Sequence, residues 1–218
     1  MKYKLEWTYK LKGRDGIFFT SDWMDAELAI IGGEDIEKFG KAKELIFYDD
    51  MGQSWNLKEM KKLMVEIEED PHEVMIYFDG GFKPDSYQAG LGAVIYFRQG
   101  KKKFRVRANE EIDEMESNNE AEYAALYYGL NLLIELGVHH VPCDIKGDSQ
   151  VVINQLAGEW PCYEENLSRW IDRIEERIKI LGIKPRYQLI PRNDNKEADK
   201  LATQALEGKN IYSKMQLL

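Results

Sequence analysis

Four carboxylates occupy positions where an acidic side chain needs a reason. Asp79 follows the apolar run Val74-Met75-Ile76-Tyr77-Phe78 and precedes Gly80-Gly81. A carboxylate there loses hydration unless it meets a cation or donors, and the two glycines leave room for a ligand backbone to come close. Asp148 follows Asp144-Ile145-Lys146-Gly147, Glu122 comes soon after Asn118-Asn119, and Asp199 lies between Ala198 and Leu201-Ala202. Taken singly, each has an ordinary use. Asp79-Gly80-Gly81 could be a turn, Asp148 could neighbour a helix cap at Ser149, and Glu122 could favour the positive end of a helix dipole. Asp199 could be a solvated helix position between Lys196 and Lys200. Together they mark strand ends and early helical turns, which in an α/β sheet can converge at one edge where ligands bind. Converging carboxylates repel, and hard divalent cations are the remedy. Oxygen donors alone, with no His or Cys in these segments, favour Mg²⁺ or Mn²⁺ over zinc.

The elements that must hold these residues can be read from hydrophobic periodicity. The apolar run 74–78 is a strand, followed by Leu91–Phe97 and Phe104–Ala108 with a turn at Gly100-Lys101-Lys102-Lys103. A helix runs from near Asn119 to Leu136, with Ala124, Leu126, Leu130, Leu133 and Ile134 toward a core. A short strand at Asp144–Lys146 leads into a helix at Ser149–Leu156 and an amphipathic helix at Glu164–Leu181. A strand at Tyr187–Ile190 and a helix at Asn195–Leu206 complete the order. Three leading strands suggest an antiparallel meander, and the later alternation suggests parallel strands beside it. The expected fold class is α/β, a mixed five-stranded sheet with helices on both faces. Gly90-Leu91-Gly92 lies within a strand and lacks the third glycine of a dinucleotide fingerprint, so it is set aside.

Four strings carry a family resemblance: Tyr77-Phe78-Asp79-Gly80-Gly81, Ser117-Asn118-Asn119-Glu120-Ala121-Glu122, Gly147-Asp148-Ser149-Gln150 and Asn195-Lys196-Glu197-Ala198-Asp199-Lys200-Leu201-Ala202. In order and spacing they closely resemble type 1 ribonuclease H, over about 74–206. The resemblance implies the ribonuclease H-like fold and an endonuclease that cuts the RNA strand of RNA–DNA hybrids, leaving 5′-phosphate and 3′-hydroxyl ends. It places the metal-binding, catalytic carboxylates on Asp79, Glu122, Asp148 and Asp199, and not on the nearby Glu120. It implies two Mg²⁺, with Mn²⁺ as a substitute, one lowering the pKa of a water and the other stabilising the leaving 3′ oxygen. Reading the 2′-hydroxyl across the wide minor groove would fall to Asn118, Asn119 and Gln150, with the backbone at Gly80 and Gly81.

Two departures from the family pattern stand out. Many members carry a His in the loop before the last acid. Here that loop reads Ile190-Pro191-Arg192-Asn193-Asp194, which leaves Arg192 as a phosphate-facing candidate. The basic protrusion that some relatives carry after the third-acid helix is replaced by the acidic Glu159-Trp160-Pro161-Cys162-Tyr163-Glu164-Glu165. Lys101, Lys102 and Lys103, with Arg105 and Arg107, are then the remaining phosphate candidates, although a lysine run also marks a solvated hairpin tip. Two rival readings stay open: an inactive nucleic-acid-binding or scaffold module of the same fold, and a DNA-directed nuclease.

Residues 1–70 read as a separate small α+β domain, with a nuclease domain over 71–218. A hairpin is expected from Tyr3–Leu11 and Ile17–Thr20, then a helix over Asp25–Ile31 ending at Gly32-Gly33, and a strand at Leu45–Tyr48. Asn56 and Glu59 form a capping-box pattern for a helix through Glu69, with Leu57, Met60, Leu63, Met64 and Ile67 on its apolar face. Some ribonucleases H carry a basic, aromatic-rich N-terminal hybrid-binding domain, and this block resembles one loosely. Its net charge of −5 opposes duplex affinity, and Trp7, Tyr9, Phe18, Phe19 and Trp55 fit a small core equally well. A protein partner through residues 1–70, or simple packing, is the expectation.

The 218-residue chain holds 39 acidic and 30 basic residues, a net charge of −9. That argues against binding nucleic acid by bulk positive charge. Two Mg²⁺ at four carboxylates would leave the nuclease block near neutral, so the acidity narrows to residues 1–70. Cys143 and Cys162 suggest two buried thiols rather than a disulfide or zinc site. With no apolar signal region and no membrane-length apolar run, a cytoplasmic monomer acting away from membranes is expected.

Overall fold

The computed structural model describes residues 2–218, apart from the side chains of residues 66–68; Ile67 thus lies outside the described side chains. The chain divides into two compact units, Met1–Glu69 and Asp70–Leu218.

The larger unit is built on a six-stranded mixed sheet. Strands β5 (His72–Lys83), β6 (Gln88–Gln99) and β7 (Lys102–Ile112) form an antiparallel meander, and β8 (Pro142–Gly147) and β9 (Lys184–Leu189) add in parallel beside β5. The helices are α3 (Asn118–Glu135), α4 (Gln150–Leu156), α5 (Glu165–Leu181) and α6 (Lys196–Leu206). A Cβ on Gly80 would overlap the backbone of Ala121 in α3, and a Cβ on Gly90 or Gly92 would overlap the backbone of α6. Gly80 pairs with Leu91, so it faces the side opposite to Gly90 and Gly92. Helix α3 therefore lies on one face and α6 on the other. Ile76, Phe78, Ile95, Leu126, Leu130, Leu133 and Ile145 are fully buried in the main core, joined by Leu167, Trp170 and Ile174 of α5.

The mixed sheet with helices on both faces matches the sequence expectation, with three differences. A sixth strand, β10 (Tyr212–Leu217), pairs antiparallel with β7 at the sheet edge. Most of its side chains are exposed, so it carries no buried period-two signal. Strand β5 does not stop at Asp79: Gly80 and Gly81 continue the ladder opposite Leu91 and Gly90. The set-aside Gly90-Leu91-Gly92 has a packing use, because it lets α6 rest on bare strand backbone.

The smaller unit is a four-stranded antiparallel sheet ordered β2-β1-β3-β4, from β1 (Tyr3–Tyr9), β2 (Ile17–Thr20), β3 (Ala42–Asp49) and β4 (Ser54–Trp55). Helices α1 (Ala26–Lys38) and α2 (Leu57–Glu69) complete it, and Tyr3, Leu5, Ala29, Phe47, Leu57 and Met60 form its core. Helix α1 runs through Gly32-Gly33 instead of ending there, because Gly33 makes room for the Phe47 ring. The capping box is present: the Asn56 N–H donates to Glu59 Oε2 and the Glu59 N–H to Asn56 Oδ1, both at 2.9 Å. Trp7 and Trp55 edge this core, whereas Phe18 and Phe19 are exposed.

Opposite signs are expected for two glycine substitutions measured by denaturant unfolding. Gly92→Ala places a methyl in the α6 backbone and should cost about 1–3 kcal/mol or more. Gly32→Ala, with open space at its Cβ, should stabilise by roughly 0.5–1 kcal/mol.

Candidate metal centre

The ladder between β5 and β8 ends with Tyr77 opposite Lys146. Two residues further along each chain, Asp79 and Asp148 come level. The bare backbone of Gly80 seats the start of α3 against β5, which brings Glu122 over the same point. One oxygen each from Asp79, Glu122 and Asp148 then lie within 4.8 Å of one another. Asp199 stands outside this trio, where its carboxylate accepts a 3.4 Å hydrogen bond from Arg192 and its charge still acts on Asp79. Three of the four expected carboxylates thus converge, with the fourth at the rim.

Burial and crowding dominate the electrostatics. Asp79 is only 9 % exposed, and desolvation, followed by the charges of Asp148 and Asp199, pushes its carboxyl up to about 7. Desolvation and then the charges of Asp79 and Asp148 push Glu122 to about 9. Glu122 Oε2 is buried with no hydrogen-bond partner among the described residues. An all-oxygen trio, two members of which resist ionising and one of which has an orphaned buried oxygen, fits a hard divalent cation.

Asn195 is the residue that the sequence reading did not single out. It is 1 % exposed, and its Nδ2 donates to Asp148 Oδ1 at 2.7 Å and to Phe78 O at 2.9 Å. It stands at the N-cap position of α6 but makes no side-chain cap bond. Its sequence signals are its place at the head of the fourth family string and an Asn at a helix start, the latter reading as an ordinary cap. Ser149 does cap α4, accepting from the Val152 N–H. Glu120 serves the packing of α3 instead of the cluster. It accepts from the Trp170 indole N–H at 3.0 Å and from the Glu116 N–H at 2.8 Å.

Of the expected substrate contacts, Asn118 and Gln150 are exposed and Asn119 is half-buried, at the starts of α3 and α4 beside the carboxylates. Arg192 is exposed at the rim. Gly80 is buried beneath α3 and Gly81 is half-buried, and the side-chain directions at the two glycines are taken by Ala121 of α3 and by Leu206 and Ala202 of α6. Lys101, Lys102 and Lys103 lie at the tip of the β6–β7 hairpin, about seven residues along β6 from Gly92, the partner of Asp79. That is roughly 23 Å at ~3.3 Å per residue, so these lysines stand apart from the carboxylate cluster itself. Arg105 and Arg107 are engaged by Glu197 at 3.2 and 2.8 Å.

A family model described as reverse transcriptase-like matches residues 77–205. The chain belongs to this family as a type 1 ribonuclease H. An uncharacterized Bacillus subtilis protein, YpeP, is 41% identical over 218 residues, covering 100% of this chain and 96% of its own. The structure of RNase H1 from Halobacterium salinarum is 31% identical, with a TM-score of 0.55 over 62% of this chain and 98% of that one. LC11-RNase H1, isolated from compost and solved with an RNA/DNA hybrid, is 26% identical with a TM-score of 0.53 over 62% and 98%. No described helix is long and apolar enough to cross a membrane.

Two variants probe this centre. The Asp79 carboxyl binds its proton more tightly folded than at its ordinary 3.8, so the stability it confers is present below about pH 4 and lost as pH rises through 7. In chelator-treated protein, Asp79→Asn should therefore raise the thermal midpoint at pH 8, by the equivalent of about 2–4 kcal/mol, and flatten its decline with pH. A lower midpoint at pH 8 would contradict the crowding. Asn195→Ala should keep the fold by circular dichroism but cost about 10–100-fold in metal affinity or activity, by releasing Asp148.

Proposed function

We propose that this protein is a divalent-metal-dependent endonuclease that hydrolyses the RNA strand of RNA–DNA hybrids by a two-metal mechanism, leaving 5′-phosphate and 3′-hydroxyl ends. The observation that carries the reading is the convergence of buried Asp79 and Glu122 with half-buried Asp148 into one all-oxygen cluster, in a chain of this family. Asp79, Glu122, Asp148 and Asp199 would hold two Mg²⁺ or Mn²⁺. Such ions supply an activated water and stabilisation of the leaving 3′ oxygen.

The chain's own residues orient and select. Asn195 fixes the Asp148 carboxylate toward the cluster. The first turn of α3 and the start of α4 present Asn118, Asn119 and Gln150, amides able to pair with both the 2′-hydroxyl and base edges of a wide minor groove. Arg192 offers an exposed guanidinium for a backbone phosphate, at the cost of its contact with Asp199. Lys101–Lys103 lie far along the sheet and Arg105 and Arg107 are held by Glu197, which leaves Arg192, with Lys146, Lys196 and Lys200 close to the carboxylates in sequence, as the cations for phosphate. Binding should accordingly be weak, metal-dependent and salt-sensitive.

Labelled RNA–DNA hybrid, duplex RNA and duplex DNA incubated with Mg²⁺ or Mn²⁺ test this reading. The expected result is endonucleolytic cutting of the hybrid's RNA strand, at least ~10³-fold reduced in Glu122→Gln, whose fold is retained. Binding of hybrid without metal-dependent cutting would point to a scaffold module, and preferential cutting of duplex DNA to a DNA nuclease; either would overturn the proposal.

A further inference from the structure

Strand β2 forms one edge of the small sheet, and all four of its residues, Ile17-Phe18-Phe19-Thr20, are exposed, at 47, 62 and 43 % for the first three. Edge strands are ordinarily blunted by Lys, Pro or a covering element, because an open apolar edge is a template for another strand. This strand contains neither residue. Its hydrogen-bonding groups can be sorted by register. The Ser21 N–H donates to Leu5 O at 2.9 Å, and the ladder then pairs Phe19 with Trp7 and Ile17 with Tyr9. In an antiparallel ladder alternate residues turn both N–H and C=O to the same side. Ile17 and Phe19 therefore face β1, and Phe18 and Thr20 direct theirs outward from the sheet.

The charges around the strand are biased as well. Lys10, Lys12 and Arg14, with Asp15 among them, lie before it, and Asp22, Asp25 and Glu27 follow it, so the leading end is net basic and the trailing end acidic. An antiparallel second copy of the same strand sets the basic end of each against the acidic end of the other, twice. We propose that β2 is a self-association edge through which two copies of this chain pair in antiparallel fashion about a two-fold axis at Phe18. In that register Phe18 exchanges its N–H and C=O with Phe18 of the partner subunit, giving one continuous eight-stranded sheet and an isologous interface. The charge arrangement favours a second copy over an unrelated extended peptide, which would lack the matching acidic and basic ends. Trp7 stacks on Phe19 at 5.5 Å between centroids and stiffens the edge from the helix-bearing side.

Sedimentation equilibrium of the full chain tests this. A reversible dimer is expected, weakened at least tenfold in Phe18→Lys with an unchanged thermal midpoint and unchanged cleavage per chain. Arg14→Glu should weaken it, and Arg14→Glu combined with Asp22→Lys should restore it, because the swap re-forms both end contacts. A native chain that stays monomeric at high micromolar concentration overturns the proposal. So does a dimer indifferent to both Phe18→Lys and Arg14→Glu, which would place its contact elsewhere.

Discussion

The candidate site depends on two places where a helix backbone lies directly on strand backbone. At Gly80 the start of α3 occupies the space a side chain would take, and at Gly90 and Gly92 helix α6 does the same on the other face. Ordinary side chains there would lift both helices by the thickness of a methyl or more. Glu122 rides on the first helix and Asp199 on the second. The same glycines that make the fold compact thus fix how near these carboxylates come to Asp79, and Asn195, at the head of α6, ties that helix to Asp148 and to the Phe78 carbonyl.

Close approach creates an electrostatic strain that the protein alone does not relieve. Asp79 and Glu122 both have raised pKa values, chiefly from burial and then from their acidic neighbours. Nearby cations give little relief: Arg192 is exposed and faces Asp199. Residues kept in such a cluster, with one buried oxygen unpartnered, work against folding unless a cation neutralises them. The arrangement therefore makes sense as a binding site more readily than as a structural core.

Much of this was legible in the sequence, for physical reasons. Asp79, Glu122, Asp148 and Asp199 follow apolar strands or open helices, and periodicity locates those elements well. The capping box at Asn56 and Glu59 and the cap at Ser149 are local, so sequence alone displays them. What stayed hidden depends on tertiary contact. Gly80-Gly81 looks like a turn until the α3 backbone is seen against it, and Gly32-Gly33 looks like a helix end until Phe47 fills the space at Gly33. Asn195 looks like a cap although its amide reaches across to Asp148. Strand β10 shows no pattern because its side chains are mostly exposed, and the lysines at 101–103 gave no hint of their distance from the acids along the sheet.

Crowded, partly protonated carboxylates that await a divalent cation should reveal themselves through the protons they give up. Calorimetric titration of the chelator-treated protein with Mg²⁺ at pH 7, repeated in buffers of different ionisation enthalpy, tests this most directly. Binding must displace the protons that burial holds on Glu122 and, in part, on Asp79, so roughly one proton or more should be released per chain, and fewer as pH rises past 9. Binding heats that do not change with buffer, or no binding at all, would contradict the account.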